Sequence, residues 1–478
     1  MKKTIFFLFL LFSFSACHNG SNQSHSASHQ ENLSTKKNAG QNGTLGKNTA
    51  SKLPISEYTL IQNATLLDVN NLGKTNEDIS NACILIKNNQ IEWVGKCDEK
   101  PATPPENITT IDASGKYVIP GLFDGFAAIN QQSYCDAYLH MGITNIVSVD
   151  GGRRGVFFGE GNPSPNIYRL EGVGLEKIDT DTMLAQIQNY HDQGFKVMLL
   201  MYGLTPDQLK LAIQKAKELD LVTIGEMGYT TYQQGIEMGL NVVVHTTRYS
   251  MDIAPRAMAK AVADEPFSND LNSPKWKYYK FLTHLKKDYP PLIQHAKNLA
   301  KSNTFIMPTS SLSYLDLPDH KNPWKEPIAR ILKIEDINRP ADPKTGNHSI
   351  PAEEQAAYTN LITNELTTIE PTYYQHGAKY LAGSGTDVWG TMPGISLHTE
   401  LWLLHHKIGL TKREALAAAT TNFHEAYGWK NGKIEKGFAA NILILNKNPL
   451  EDLENLKDID KVILNGKELM VSVGGESK

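Results

Sequence analysis

The amino-acid sequence predicts an α/β protein: a (β/α)8 TIM-like barrel joined to a small β-sandwich composed of both chain ends. From Val118 onward, short apolar strands alternate with amphipathic helices, which is the pattern of a parallel sheet buried on both faces. Several repeats of this unit favour a closed barrel. Strands without intervening helices flank that region on both sides, so we expect the two chain ends to form one β module.

Length and composition agree with a large globular protein. The chain has 478 residues, 40% hydrophobic and 21% charged, enough to bury a sizeable core without covalent cross-links. The formal charge of −4 provides no basic field. We therefore predict no nucleic-acid partner, while the oligomeric state stays open.

The first residues have the pattern of an export signal. Lys2 precedes a short apolar run at 5–12, too short to span a bilayer as a helix. The following segment, from Phe14 to Cys17, resembles a bacterial lipobox, with Phe14 in place of the usual leucine. This predicts lipid attachment to Cys17 and a location in the cell envelope, at the outer membrane or periplasmic face of a Gram-negative cell. A plain signal peptide cut near Ala16 is the alternative.

The chain divides by composition into segments of different character. Residues 18–54 are polar and too poor in apolar side chains to fold, so they predict a disordered tether. The predicted divisions are a signal peptide at 1–17, the tether at 18–54, a composite β-sandwich from 55–117 with 436–478, and a barrel at 118–435 that carries a helical insertion at 250–360. The insertion is interpreted either as a lid over the active end of the barrel or as structural padding.

The individual elements follow from apolar periodicity and turn residues. Thr205 begins a helix with a capping box, because Pro206 follows it directly and Gln208 lies three residues on. The other predicted helices and strands are strands at 60–68, 83–86, 91–94, 144–149, 194–202, 221–225, 241–244, 441–445 and 461–466, and helices at 134–140 and 232–238.

Three cysteines lie beyond the export signal. Cys83 and Cys97 fall on two strands joined by a short turn, so a disulfide across that hairpin is one interpretation in an oxidising compartment. Buried thiols are the other, and the state of Cys135 is open in the same way.

Several ordered blocks of the sequence resemble the amidohydrolase superfamily, metal-dependent hydrolases of the imidazolonepropionase and dipeptidase-like branch. The resemblance extends over about residues 56–470. It is carried by the blocks at 111–124, 382–387, 397–401, 409–422, 432–437 and 448–450. It implies a barrel with a β-sandwich from both termini, and hydrolysis of C–N bonds in amides, cyclic amides or dipeptides.

In that family a divalent metal ion, usually zinc, activates water and polarises the substrate carbonyl. The family pattern places a His-x-His pair after the Asp of the first barrel strand, a lysine on the fourth strand and a histidine on the fifth. At these places the present chain has Phe126, Ala128, Leu199 and Glu226. None of the first three can ligate a metal.

The remaining two family positions match. His245 corresponds to the histidine on the sixth strand of the family pattern, and Asp387 to the aspartate on the eighth. One hypothesis is a remodelled single-metal site of Glu226, His245 and Asp387, with His245 and Asp387 catalytic and Asp387 as ligand or general base. The other is that these side chains are relics held by hydrogen bonds and no metal binds.

Two functions are consistent with these residues. The first is a divergent hydrolase of amide or cyclic amide C–N bonds, and the second is a catalytically inactive amidohydrolase-fold protein that binds a ligand or partner. The candidate ligand is a small amide or peptide-like molecule, and the candidate substrate-binding residues are Arg248, Tyr249 and His398. A guanidinium at Arg248 would suit a substrate carboxylate or carbonyl, although a salt bridge to a neighbour is the simpler interpretation.

Overall fold

The computed structural model describes residues 57–101, 107–149, 161–266, 268, 270–348 and 350–469. The predicted signal peptide, tether and lipidated Cys17 lie outside these residues. Within them, no helix has the length and apolar character needed to cross a bilayer.

The strands of the described residues fall into two sheets. They are β1 Tyr58–Leu66, β2 Ile79–Lys87, β3 Gln90–Lys96, β4 Ile108–Asp112, β5 Tyr117–Pro120, β6 Leu122–Ala127, β7 Ile143–Val149, β8 Asn166–Val173, β9 Val197–Leu200, β10 Val222–Gly225, β11 Val242–Val244, β12 Phe305–Met307, β13 Ile442–Leu445, β14 Ile459–Leu464 and β15 Lys467–Leu469.

The α-helices surround the second of these sheets. They are α1 Gln132–His140, α2 Thr180–Asp192, α3 Pro206–Glu218, α4 Tyr232–Glu237, α5 Thr246–Tyr249, α6 Arg256–Asp264, α7 Pro274–Thr283, α8 Pro290–Lys301, α9 Ala352–Asn364, α10 Glu370–Gln375, α11 Ile395–Leu403, α12 Lys412–Ala418 and α13 Thr421–Tyr427.

The second sheet is a nearly closed parallel barrel. In the described part of the chain, seven parallel strands follow one another in chain order from β6 to β12. An extended segment near residue 381 lies between the two edges: Ile306 N donates to Lys379 O at 2.8 Å, Leu381 N to Ile306 O at 2.9 Å, and Gly125 N to Ala382 O at 3.0 Å. The segment takes the place of an eighth strand, so the TIM-like architecture predicted from the sequence agrees with the observed fold.

The apolar strand residues explain why the barrel is filled rather than open. Side chains of Leu199, Ile224, Val244 and Met307 are all fully buried in one interior cluster. On the outer surface, α3 begins with the predicted capping box at Thr205 and Gln208. Its apolar stripe is buried against the barrel, as expected for a crossover helix of a βαβ unit.

The first sheet joins both chain ends, as predicted. Its strand order is β15-β14-β13-β5-β1-β2-β3, with β4 also paired to β1. The carboxy-terminal β13 runs antiparallel to the amino-terminal β5, so the two ends of the described chain are hydrogen-bonded to each other. The strands form one branched eight-stranded sheet, and the sandwich geometry and the exact domain boundaries stay predictions.

A disulfide between Cys83 and Cys97 decides between the two interpretations of this pair. Cys83 lies on β2, and Cys97 directly follows β3, its antiparallel neighbour. Cys135 is a buried free thiol, and burial raises its pKa to about 11, so it is unreactive at neutral pH.

The structure adds elements that the sequence pattern did not reveal. The strand β8 and the helix α2 complete the third strand–helix unit of the barrel. The seventh barrel strand, β12, lies inside the segment predicted as an insertion at 250–360, which therefore is not one continuous addition. Only three residues long, β12 is too short to produce a periodic signal.

Removing the disulfide should destabilise the chain-end sheet. The two cysteines are 14 residues apart, and cross-linking a loop of about this length contributes about 3 kcal/mol to the free energy of unfolding. A Cys83→Ser/Cys97→Ser double variant should therefore show a clearly lower midpoint in chemical denaturation. Cys135→Ser is the matched control without a cross-link, and an equal loss in both variants would contradict the assignment.

Candidate functional site

The carboxyl ends of the barrel strands gather the residues singled out by the sequence. Leu199 lies on β9, the fourth barrel strand, and Glu226 follows β10, the fifth. His245 follows β11, the sixth, while Asp387 comes after the segment that closes the barrel. Because parallel strands end at one rim, this is the end of a barrel where active sites lie.

Glu226 is held by an ion pair. Its Oε1 lies 3.4 Å from Nε of Arg248 and accepts a hydrogen bond of 3.0 Å from the Tyr202 hydroxyl. The guanidinium of Arg248 also lies 5.2 Å from the centre of the Tyr202 ring. Burial raises the pKa of Glu226, whereas Arg248 and Tyr202 oppose that shift. Arg248 thus forms the salt bridge to a neighbour that was the simpler interpretation, and its role in substrate binding stays a prediction.

His245 lies next to Phe126, which stands where the family that the sequence resembles has a histidine ligand. The Phe126 ring meets its imidazole edge-on, with ring centres 5.2 Å apart. Nδ1 of His245 lies 2.6 Å from Oγ1 of Thr309. Burial, together with the nearby Arg248, lowers the pKa of His245 to about 3, so the ring is neutral at physiological pH.

Asp387 has partners of its own. Its Oδ2 accepts hydrogen bonds from the Tyr134 hydroxyl at 2.8 Å and from Nδ2 of Asn130 at 3.4 Å. Below it, the fully buried Asp124 accepts a bond of 2.8 Å from Ser384 N and links β6 to the closing segment. Burial raises the pKa of Asp124 to about 7.

The donor set does not fit the family's metal centre. Phe126, Ala128 and Leu199 offer no ligand atom, and Glu226 is engaged by Arg248. Among the residues that the structure describes, no group of three or more His, Cys, Asp or Glu side chains could hold a metal ion. The predicted zinc site of Glu226, His245 and Asp387 is thus not assembled, because each side chain faces different partners.

A cavity opens beside His245, between the strand ends and the helices of the insertion region. It is partly open to solvent. The lining residues come from β11, α5, the loop after β12, α7 and α9, together with Trp389: His245, Thr246, Thr247, Arg248, Tyr279, Pro308, Thr309, Ser310, Leu312, Ser313, Tyr358, Leu361, Glu365 and Trp389. Glu226 and Asp387 do not line it.

Four buried polar atoms on this wall lack a hydrogen-bond partner within the described part of the chain. They are Nε2 of His245, Oγ of Ser310, the hydroxyl of Tyr358 and Oε1 of Glu365. Leaving such groups buried and unpaired is costly. Their convergence on one cavity therefore makes it the candidate binding site for a polar molecule.

Sequence reasoning identified His245 and Arg248 but missed most of this wall. Thr309, Ser310 and Tyr358 lie in the irregular region at 250–360, where no motif distinguishes them. Glu365 lies beyond it, at the start of a π-helical turn, Glu365–Ile369. Such turns are frequent at functional sites, but the sequence gives no signal for them.

The predicted substrate-binding roles of Tyr249 and His398 are not supported by their positions. Tyr249 is fully buried below the cavity, and its hydroxyl donates to Glu370 at 2.5 Å. His398 bonds through Nε2 to the Met141 carbonyl at 2.9 Å, and it borders a different cavity. His398 thus links α11 to the residue that follows α1.

The loop that carries Ser310 is fixed from behind. Oε2 of the fully buried Glu400 accepts a hydrogen bond of 2.7 Å from the backbone N–H of Ser311. Burial raises the pKa of Glu400 to about 8, against the opposing effect of this bond. The cavity wall is thereby anchored to α11.

Comparison with known proteins supports this description of the barrel. The model of the amidohydrolase family matches residues 372–469. None of the curated proteins compared matches the chain significantly. Among solved structures, a putative prolidase from Bifidobacterium longum has a TM-score of 0.58 at 16% identity, with 87% of this chain and 95% of that chain covered.

Two further solved structures are similar to this chain over most of its length. A Xaa-Pro dipeptidase with methionine bound in its active site has a TM-score of 0.56 at 14% identity, covering 86% of this chain and 99% of its own. The bottromycin amidohydrolase has a TM-score of 0.59 at 15% identity, covering 87% and 88%. This chain therefore shares its fold with these three solved structures.

The ion pair below the cavity should behave as a unit. Arg248→Met leaves the Glu226 carboxylate buried without its counter-charge, which should lower the free energy of unfolding by about 3–5 kcal/mol. The double variant Glu226→Gln/Arg248→Met should be clearly more stable than Arg248→Met, because no uncompensated charge remains. Denaturant unfolding of wild type, both single variants and the double variant measures the coupling, and strictly additive losses would contradict the pair.

Proposed function

We propose that this chain is a member of the amidohydrolase family that binds a small amide- or peptide-like molecule at the carboxyl end of its barrel, without the family's metal centre. The matched family segment and the shared fold support membership. The observation that carries the binding function is the cavity with four buried, unpartnered polar atoms beside His245.

The residues around His245 favour binding over metal-assisted hydrolysis. A metal centre of the family type needs several imidazoles or carboxylates that converge on one point. Here the first-strand positions hold Phe126 and Ala128, and the carboxylate of Glu226 already has a cationic partner in Arg248. The cavity, in contrast, has the features of a ligand site: it is concave and largely apolar, and carries a few polar groups.

The relatives named above act on peptide or amide bonds according to their names, which supports the ligand class proposed for this chain. Hydrolysis of such a ligand is the competing function. It would need a metal or another activated water at His245 or Asp387, and the experiment below distinguishes the two.

The decisive measurement combines metal content with ligand soaking of the purified full chain. We expect elemental mass spectrometry to find no stoichiometric zinc or other divalent ion after incubation with excess metal. Crystals soaked with a mixed set of charged and neutral amide fragments should show density in the cavity. Ser313→Trp, which places a large side chain on the cavity wall, should lose this density, whereas the matched control Ser313→Ala should keep it.

Stoichiometric metal that disappears in both Glu226→Ala and His245→Ala would favour the hydrolase and reject the metal-free site. Density elsewhere, with the cavity empty in every soak, would reject the binding function itself. The two failures are thus distinguishable.

We also propose that the protein is anchored in the cell envelope through lipids on Cys17. This rests on the lipobox-like segment, and the Cys83–Cys97 disulfide supports it, since disulfides persist mainly in oxidising compartments outside the cytosol. Cys17→Ser should move the protein from the membrane to the soluble fraction and prevent labelling by a fatty-acid analogue. Unchanged labelling in that variant would reject Cys17 as the attachment site.

A further inference from the structure

The imidazole of His245 is fixed in one tautomer. The Thr309 hydroxyl donates its hydrogen to the carbonyl of Pro308, 2.6 Å away. A hydroxyl has only one hydrogen to donate. The contact of 2.6 Å between Nδ1 of His245 and Thr309 Oγ1 therefore requires the hydrogen to be on Nδ1.

It follows that Nε2 of His245 carries a lone pair. With the ring neutral and Nδ1 protonated, Nε2 can only accept a hydrogen bond. It is buried and has no partner within the described residues, and His245 itself is 8% exposed. Phe126 lies at 5.2 Å against the ring and supplies no donor. A molecule entering the cavity must supply the missing N–H or O–H.

The opposite side of the cavity offers a carboxyl group of unusual character. Glu365 is 5% exposed, and its Oε1 has no partner within the described residues. Burial, and secondarily the nearby Glu370, raises the pKa of Glu365 well above its ordinary value. This shift favours the protonated carboxyl, which both donates and accepts, and the hydroxyls of Ser310 and Tyr358 add further unpartnered polar atoms among the described residues.

Among the described residues that line the cavity, Arg248 carries a permanent charge, and it is paired with the carboxylate of Glu226. Lys275 and Arg339 lie behind the lining, 5.9 Å from the Tyr279 ring and 4.5 Å from the Trp389 ring. A carboxylate would lose its hydration and meet Arg248 already paired, and an ammonium group would meet Glu365 at a site that disfavours the ionised carboxyl. The aromatic rings of Tyr279 and Trp389 complete a wall suited to an apolar body.

We propose that this cavity selects an uncharged small molecule that donates an N–H or O–H to Nε2 of His245 and is bound on its other side by the carboxyl of Glu365. This inference rests on the proposed binding function and narrows its ligand class. Charged dipeptides are thereby excluded, and Arg248 is not an anchor for a substrate carboxylate. Thr309 becomes a positioning residue, since it determines which nitrogen of His245 faces the ligand.

Matched probe pairs test the donor requirement on the unmodified full chain. 2-Pyrrolidinone has an amide N–H and N-methyl-2-pyrrolidinone lacks it; phenol has an O–H and anisole lacks it. We expect one or both donor probes to occupy the cavity in soaked crystals. In ligand-observed NMR titrations, the methylated partner should bind about tenfold more weakly, the effect of losing one buried hydrogen bond. The zwitterion glycylproline should not enter.

Variants test the contribution of each residue to binding of the donor probe. His245→Leu should abolish binding of the donor probe, and Thr309→Val should weaken it, because the proton is no longer held on Nδ1. The Thr309→Val protein should also show a changed imidazole nitrogen chemical shift, which a merely structural role would not produce. Thr363→Val changes an exposed threonine of α9 that does not line the cavity, and this matched control should bind like wild type. If His245→Leu fails to fold, the probe pairs still decide the question.

Equal binding of methylated and donor probes in the cavity would overturn the proposal, and so would glycylproline in the cavity. In both cases the cavity would still bind ligands, so the proposed function would stand. A cavity empty with every probe would also overturn the inference; the mixed fragment soak described above then decides whether the binding function fails with it.

Discussion

The buried pair of Arg248 and Glu226 determines the character of this end of the barrel. Parallel strands converge at the rim, and a carboxylate placed there loses its hydration and requires a positive charge. In metal-dependent barrels a cation bound by several side chains can provide it. Here the guanidinium provides it, 3.4 Å from Oε1 of Glu226 and over the Tyr202 ring. With the charge balanced from within the chain, a second cation at this carboxylate has no electrostatic role.

Phe126 also suits a barrel end that does not bind a metal ion. A histidine at this position would present a polar nitrogen to the interior, whereas the phenyl ring extends the apolar barrel core and packs against His245. The substitution would be unfavourable in a site that had to bind a metal. Beside a neutral imidazole it is favourable, because the ring shields one side of His245 and leaves Nε2 directed to other surroundings.

The sequence predicted the barrel and the places of its strand ends because both depend on local patterns. Apolar strands and amphipathic helices give strong periodic signals, and the resemblance to the family pattern assigned Leu199, Glu226 and His245 to the fourth, fifth and sixth strands, where the structure has them. β8 was missed because polar residues such as Arg169 and Glu171 interrupt its apolar pattern, and β12 because it is only three residues long.

The pairing of Arg248 with Glu226 depends on the short helix α5, whose direction no sequence pattern reveals. The same holds for Thr309 and Glu365, which reach the site from loops and turns outside any motif.

The backbone at the site supports a binding role for His245. His245 has φ of 65° and Thr309 has φ of 53°, both in the left-handed region that side chains other than glycine rarely adopt. The two residues follow neighbouring strands, β11 and β12, and are joined by the hydrogen bond between Nδ1 and Oγ1.

Positive φ values at such residues are unfavourable and persist only where the surrounding structure enforces them. Because His245 and Thr309 both have such a backbone and share one hydrogen bond, the imidazole is held rigidly. The lone pair on its Nε2 is then fixed in direction before any ligand binds. Such preorganisation lowers the entropic cost of binding, and it would have no purpose for a histidine that served only to fill the core.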